Sequence, residues 1–339
     1  KKGKARAFVI NSGNANAAPG EQGIANAKKV ETELEKLLGL GEDEVFVSST
    51  GVIGQQLPVE KLLAGLPEIV ANLSDKGGTE AARAIMTTDT KLKEVAFELE
   101  LSGGTVRIGA MSKGSGMIHP NLATMLAYIT TDAKVAAPVL QKILAESADK
   151  SFNMTTVDGD TSTNDSLFLI ANGASGVAIE SEEDIAAFAK LVEDICIHMA
   201  RAIASDGEGA THLIVVEARN LATMQDARLV ARSIAGSNLF KAAVFGRDAN
   251  WGRIMAAAGY SGADIDPTKA DCILKSDAGE VIVMEGGFGT QFDEEKATAV
   301  LTEHDITVIV DFHSGDACAT AYGCDLTHDY VTINGDYRS

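Results

Sequence analysis

Val95-Ala-Phe-Glu-Leu-Glu-Leu-Ser-Gly-Gly-Thr-Val-Arg-Ile-Gly-Ala110 alternates apolar and polar residues through much of its length, with Ser-Gly-Gly between its two halves. That period of two, broken by small turn formers, predicts paired strands Val95–Leu101 and Thr105–Ala110 joined by a hairpin. A hairpin argues against a purely parallel doubly wound sheet. Working back towards the N-terminus, helical spacing marks Gln22–Leu38, Val59–Leu73 (with a break expected at Pro67) and Thr79–Met86, between short apolar strands at Ala7–Asn11 and Val45–Ser49. Forward of the hairpin, strands are expected at Met125–Ile129, Leu213–Val216, Cys272–Leu274, Val281–Glu285, Thr307–Asp311 and Tyr330–Ile333. Helices are expected at Ala136–Ser147, Ser181–Ala204, Thr223–Ala235 and Glu294–His304. Ser181 precedes Glu182, Glu183 and Asp184 and reads as an N-cap. Interspersed strands and helices with antiparallel pairing define a mixed α/β class.

The chain has 339 residues, enough for about two domains, and no internal repeat. It carries 48 Asp and Glu against 29 Lys and Arg, a formal charge of −19. Such a field repels nucleic-acid phosphates and anionic membranes and favours a cationic small molecule. No apolar run is long enough to span a bilayer, and no leader pattern opens the sequence. Cys196, Cys272, Cys318 and Cys324 are too sparse for a disulfide framework, which points to a reducing cytoplasm. The six His never pair at metal-ligand spacing, so no metal is expected. The Asp158, Asp160 and Asp165 cluster lacks the Gly and Glu that a calcium loop requires and reads as Asx turns. Gly286-Gly-Phe-Gly289 has the wrong spacing for a dinucleotide fingerprint. Trp251 reads as a packing anchor and Arg253 as a structural cation.

Chemistry concentrates in Lys113-Gly-Ser-Gly-Met-Ile-His-Pro-Asn-Leu-Ala-Thr-Met-Leu-Ala-Tyr-Ile-Thr-Thr-Asp132. Thr124 stands where a Gly-rich loop meets an apolar strand, an arrangement that can hold a hydroxyl nucleophile in fixed geometry. This run resembles the self-processing motif of the ornithine acetyltransferase family, also called glutamate N-acetyltransferase, in which the Ala-Thr bond of an Ala-Thr-Met-Leu segment is cleaved autocatalytically. Asn11-Ser-Gly-Asn-Ala-Asn-Ala17, Ser49-Thr-Gly-Val-Ile-Gly54, Met86-Thr-Thr-Asp-Thr90, Thr156-Val-Asp-Gly-Asp-Thr-Ser-Thr-Asn-Asp165, Asp206-Gly-Glu-Gly-Ala-Thr211, Phe245-Gly-Arg-Asp-Ala-Asn-Trp-Gly-Arg253 and Gly323-Cys-Asp-Leu-Thr-His-Asp-Tyr-Val-Thr-Ile-Asn334 are similar to that family too. The likeness runs through essentially the whole chain in order.

The resemblance implies a layered α/β sandwich of the aminopeptidase and ornithine-acetyltransferase type, with largely mixed or antiparallel sheets. It implies cleavage between Ala123 and Thr124 into an α fragment (1–123) and a β fragment (124–339), with two α/β lobes whose boundaries need not match the cut. The fragments would assemble as a heterotetramer of two α and two β. The activity implied is acetyl transfer from N2-acetyl-L-ornithine to L-glutamate in arginine biosynthesis, through an acetyl ester on Thr124. No cofactor is implied, and acetyl-CoA would enter as a co-substrate in relatives that accept a second donor. Chemistry supports the nucleophile: cleavage gives Thr124 a free α-amine of pKa about 7.7–8.0, a base near neutral pH that an internal Thr lacks. Thr50 and Gly51 would form the oxyanion hole, since a Gly N–H approaches closely and a Thr hydroxyl donates beside it.

For substrate, the resemblance assigns Lys113 to the α-carboxylate, Glu208 to the ammonium or amine, Thr87 to a further contact, and Asn334 and Ser339 to the C-terminal side. Taken alone, Lys113 would read as a solvated side chain and Glu208 as a turn acid. Family members usually have a further segment ahead of Ala7, often end in Thr where this chain ends in Ser339, frequently carry Lys at the position of His212, and commonly Pro at that of Ala249. A self-processing aminopeptidase or amidase, in which water takes the acyl group, is the alternative enzyme. An unprocessed binding protein is the third reading.

Overall fold

The computed structural model describes residues 3–119 and 125–337. Ala123, Thr124 and Ser339 lie outside the described residues. In chain order the elements are β1 (Ala7–Asn11), α1 (Glu21–Leu38), β2 (Val45–Ser49), α2 (Val59–Ala71), α3 (Gly78–Ala84), β3 (Lys93–Leu101), β4 (Gly104–Lys113), β5 (Leu126–Thr131), α4 (Ala137–Lys150), β6 (Ser166–Ala171) and α5 (Glu182–Ser205). They continue with β7 (Leu213–Leu221), α6 (Met224–Ala235), α7 (Asn238–Phe245), α8 (Trp251–Gly259), β8 (Asp271–Ser276), β9 (Gly279–Glu285), β10 (Phe288–Gly289), α9 (Glu294–Val300), β11 (Asp305–Asp311), β12 (Ala317–Cys324) and α10 (His328–Asp336). Among the described residues the strands form three sheets: β1-β2, β3-β4-β5-β6 and β10-β9-β8-β11-β7-β12. β1 with β2, β5 with β6 and β7 with β11 are parallel; the other pairs are antiparallel. The fold is the mixed, largely antiparallel α/β type that the sequence implied.

The hairpin is longer than its alternation suggested. Leu101 pairs with Gly104, and the register runs back to Lys93 opposite Ser112. β4 extends to Lys113 because its other edge pairs with β5, Lys113 lying opposite Leu126. The two ends of the loop between these strands are therefore side by side.

α5 lies between the larger sheets, against β3 and β4 on one side and β7 and β12 on the other. Ser181 Oγ caps it through the Asp184 N–H, as its sequence predicts, and Asp184 in turn accepts from the hairpin residue Ser102. Phe188, Val192, Ile195, Met199 and Ile203 recur at helical spacing and are fully buried, each stabilising by about 1.5–3 kcal/mol relative to exposure. β7 is buried on both faces: Leu213 and Val215 join the core around α5, whereas Ile214, Val216 and Ala218 join the core under α6 and α8. The result is a layered sandwich of sheet, helices, sheet and helices. Trp251 packs against the outer core, and Arg253 donates to the Leu239 carbonyl at 2.8 Å, a structural contact.

Two local expectations are corrected. α2 continues through Pro67 to Ala71. Leu66 is buried against Val30, Leu34 and Val45, with Leu62, Leu63 and Val70 beside it, so packing outweighs the hydrogen bond that proline cannot donate. Tyr330–Ile333 is part of helix α10, although its β-branched and aromatic residues suggested a strand. Tertiary context decides here, because helical spacing turns Tyr330 and Asn334 towards one cavity.

Candidate active site

β1 and β2 each end in a polar loop, and the two loops are laced together. Thr50 N–H donates to Asn11 O at 3.0 Å, Ala15 N–H to Val52 O at 2.9 Å, and Ser49 Oγ to Asn11 Oδ1 at 2.7 Å. Asn164, just before β6, reaches across to donate to Ser49 O at 3.0 Å and also to Ala15 O. Rings of Phe8, Phe46, Tyr128 and Phe168 pack between this unit and the β5-β6 edge, with Phe8 and Phe168 centroids 5.0 Å apart. Thr50 and Gly51 are thereby fixed beside the start of β5. Gly51 has φ 126°, and a Cβ there would stand 2.4 Å from the Gly13 carbonyl carbon, so no side chain fits. Its N–H has no acceptor among the described residues.

A cavity of about 280 Å³ opens where these loops meet the ends of β4, β5 and α5. Its walls include Thr50, Gly51, Thr87, Lys113, Met125, Glu208 and Asn334. Residues far apart in sequence and singled out from it therefore share one small chamber. Lys113, the last residue of β4, is buried, with Nζ 2.8 Å from Thr87 Oγ1 and 3.4 Å from Thr50 Oγ1. Accepting from Lys113 leaves the Thr50 hydroxyl proton free to point elsewhere. Burial pushes the Lys113 ammonium pKa down, and Asp89 at 3.9 Å partly restores it. Glu208 follows α5; its N–H donates to Ser115 O at 2.9 Å, and its Oε2 accepts from Asn334 Nδ2 at 2.7 Å. Gly116 makes room for it, since a Cβ at that position would lie 2.3 Å from the Glu208 carboxyl group.

The segment leading to residue 120 is pinned just as firmly. Asp158 accepts the N–H groups of Met117 at 2.6 Å and Ile118 at 2.8 Å, and Val157 N–H donates to Ile118 O at 2.7 Å. Arg232 donates to His119 Nε2 at 3.2 Å, so the ring proton sits on Nδ1, 3.0 Å from Thr156 Oγ1. Burial first, and the Arg232 charge second, lower the His119 pKa and keep the ring neutral. Burial, followed by the charges of Asp158 and Glu208, raises the Tyr330 pKa and keeps its phenol protonated at the cavity wall. The Asp158 cluster thus serves as backbone clamp and acidic wall together.

Sequence reading missed Asp89, Lys93 and Asp206. Lys93 is buried between the two carboxylates, 2.8 Å from Asp89 Oδ1 and 2.5 Å from Asp206 Oδ2. Asp89 lies in the family-like segment Met86–Thr90 and Asp206 opens the family-like segment Asp206–Thr211, and that placement is their signal. Lys93 opens a strand among other charged residues, and only its burial distinguishes it. Chemically the chamber offers a recessed cation, an acceptor carboxylate and a free backbone N–H, the set needed to hold a zwitterion while acyl transfer builds an oxyanion.

The model of the ArgJ family matches residues 1–339. Arginine biosynthesis bifunctional protein ArgJ of Symbiobacterium thermophilum is 51% identical over 339 residues, covering 99% of this chain and 83% of that protein. The protein of the same name from Thermotoga neapolitana is 50% identical over 340 residues, covering 98% and 84%. A crystal structure of Arginine biosynthesis bifunctional protein argJ from Bacillus halodurans, 42% identical, superposes with a TM-score of 0.58 over 62% of this chain and 98% of its own. With a family match over its full length, and relatives at half identity along almost all of it, the chain belongs to the ArgJ family and is an acyltransferase.

Proposed function

We propose that the chain transfers acetyl from N2-acetyl-L-ornithine to L-glutamate by a ping-pong route through an acetyl ester on Thr124. The observation that carries this reading is the shared cavity of Thr50, Gly51, Thr87, Lys113, Glu208 and Asn334, with Met125, the residue after the nucleophile, in its wall. Attack of the Thr124 hydroxyl on the Ala123 carbonyl breaks the peptide C–N bond and gives an ester by N-to-O shift, which frees the Thr124 α-amine; water then hydrolyses the ester to the Ala123 carboxylate and the free Thr124 hydroxyl, and the amine serves as base in each later turnover. Thr124 Oγ attacks the N-acetyl carbonyl, Thr50 and Gly51 donate to the oxyanion, and ornithine leaves before glutamate accepts the acetyl group. Lys113 binds the carboxylate common to both amino acids, with Thr87 beside it, and Glu208 with Asn334 receives the amine. Ser339, outside the described residues, is assigned to the C-terminal side of the substrate site by the family resemblance. Acetyl-CoA is a candidate second donor, in keeping with the word "bifunctional" in the names of the relatives. Among the described residues no helix is long and apolar enough to cross a membrane, and the cysteines are free thiols. A reducing cytoplasm suits them.

Acceptor dependence separates transferase from hydrolase. Ornithine release from N-acetylornithine should require glutamate for sustained turnover; equal rates without it would establish the amidase alternative. Lys113→Ala and Glu208→Ala should each raise KM by about tenfold or more through loss of a charged contact, read by steady-state kinetics. Unchanged KM in both would move the pocket elsewhere.

Cleavage would yield fragments 1–123 and 124–339. β4 belongs to the first and β5 to the second, yet they pair from Ile108 opposite Thr131 to Lys113 opposite Leu126, and α5 packs on β3 and β4. Separation would expose a strand edge and one face of the α5 core. The fragments should therefore co-elute under native conditions and part only in denaturant, as checked by size exclusion and intact mass. An α₂β₂ assembly is the proposed stoichiometry.

A further inference from the structure

We infer that Asp89 is the positioning residue of the substrate-carboxylate subsite, holding Lys113 and Thr87 in place from behind and supplying the counter-charge that keeps Lys113 cationic. This rests on the proposed role of Lys113. The Asp89 side chain is wholly buried and does not line the cavity. Its Oδ1 accepts Gly114 N–H at 2.7 Å, fixing the residue after Lys113, and its Oδ2 accepts Thr87 N–H at 3.1 Å, fixing the partner of the Lys113 ammonium. The same Oδ2 lies 3.9 Å from Lys113 Nζ. One carboxylate thus orders both residues assigned to the substrate carboxylate.

Charge makes the arrangement more than structural. Asp89, Asp206, Lys93 and Lys113 form a buried group of two anions and two cations, with Lys93 bridging the carboxylates. The charged groups acting on Lys113 are Asp89 and Glu208, which favour its ammonium form, and Lys93, which opposes it. In Asp89→Asn that group keeps two cations and one anion, and Glu208 is the carboxylate left acting on Lys113. Lys93 keeps Asp206 at 2.5 Å, whereas Lys113 loses its nearest carboxylate while still buried. Lys113 is then the group that gives up its proton. A lysine is cationic below its pKa, so affinity for a carboxylate is lost as pH rises through that value, and loss of Asp89 moves the falling limb to lower pH.

The test is the KM for glutamate and for N-acetylornithine from pH 6.5 to 9.5, in wild type, Asp89→Asn and the smaller Asp89→Ser, with thermal melting to establish folding. Taking the variant to wild-type ratio cancels titration of the substrates and of the Thr124 amine. That ratio should rise between pH 7 and pH 9, by up to about tenfold for each tenfold loss of proton affinity at Lys113, and Asp89→Glu should flatten it. A ratio that is high but independent of pH in the folded variants would reduce Asp89 to a packing role and overturn the inference. Placing Lys113→Arg in the Asp89→Asn background should abolish the slope, because a guanidinium does not deprotonate in this range; a surviving slope would also overturn it. If Lys113→Ala leaves KM unchanged, the subsite reading itself fails. If Lys113→Ala raises KM while the Asp89 variants stay flat, only the inference about Asp89 fails.

Discussion

Thr124→Ala should be recovered as one uncut chain that releases no ornithine from N-acetylornithine and takes up no label from an acetyl-labelled donor. Two separate steps use the same oxygen. Without it the Ala123 carbonyl has no adjacent hydroxyl to accept the acyl group, so the peptide bond persists and no α-amine appears at position 124. Transfer then lacks both nucleophile and base, and should fall by at least about 10³-fold, since groups that act as one unit fail together. Thr124→Ser keeps the hydroxyl and, once cut, the amine beside it. It should show both cleavage and transfer at reduced rates, because the methyl group that restricts χ1 is gone and the hydroxyl is less well held. Intact mass reports the cut, and rapid quenching with labelled donor followed by peptide mapping reports the ester. Label recovered on any residue other than Thr124, or normal transfer by the Ala variant, would exclude the covalent route.

Much of this architecture was legible in residue order. The Val95–Ala110 alternation gave the hairpin because one face of β3 and β4 is buried against α5 and the other is not, and β7 was visible as an apolar run because both of its faces are covered. β6 was hidden. Its residues Ser166–Ala171 are intermediate in burial throughout, and it follows a polar loop whose composition draws attention to turns. α7 and α8 were obscured in a similar way, since Asn238–Phe245 and Trp251–Gly259 are each too short for several helical periods to accumulate. At the site, motif likeness pointed to Thr50, Gly51, Thr87, Lys113, Glu208 and Asn334 at the cavity, and its segments contain Asp89 and Asp206, but nothing in the residue order marked Lys93, buried behind them. A sequence shows that charges occur near one another; which of them lose water on folding is decided by strands that pair at long range.

Gly51→Ala should be the most damaging single-carbon change in the cavity, acting on kcat more than on KM. The added Cβ would meet backbone: Gly13 C at 2.4 Å and Asn14 N at 2.6 Å. Neither is the end of a movable side chain, and φ of 126° is itself strained for alanine. Relief requires shifting the 50–52 loop away from the loop after β1, which withdraws from the site an N–H that has no acceptor among the described residues and disturbs the Thr50 hydroxyl. Removing one oxyanion donor costs about 10²–10³ in kcat, or about 2.7–4 kcal/mol, because the donor acts where charge develops. Lys113 with Thr87 and Glu208 with Asn334 stand on other elements and should still bind substrate, so KM should move by no more than about threefold, the part of binding that does not depend on the transition state. Thr50→Ala provides the comparison, since it deletes the hydroxyl without a backbone clash. Its kcat should fall less than that of Gly51→Ala, and the Lys113 ammonium loses a partner at 3.4 Å. Processing should be verified by intact mass before the kinetics are read, because an uncut variant would lack the base. If cut Gly51→Ala retains its kcat and loses affinity instead, this loop binds ground-state substrate and the oxyanion donors lie elsewhere in the chamber.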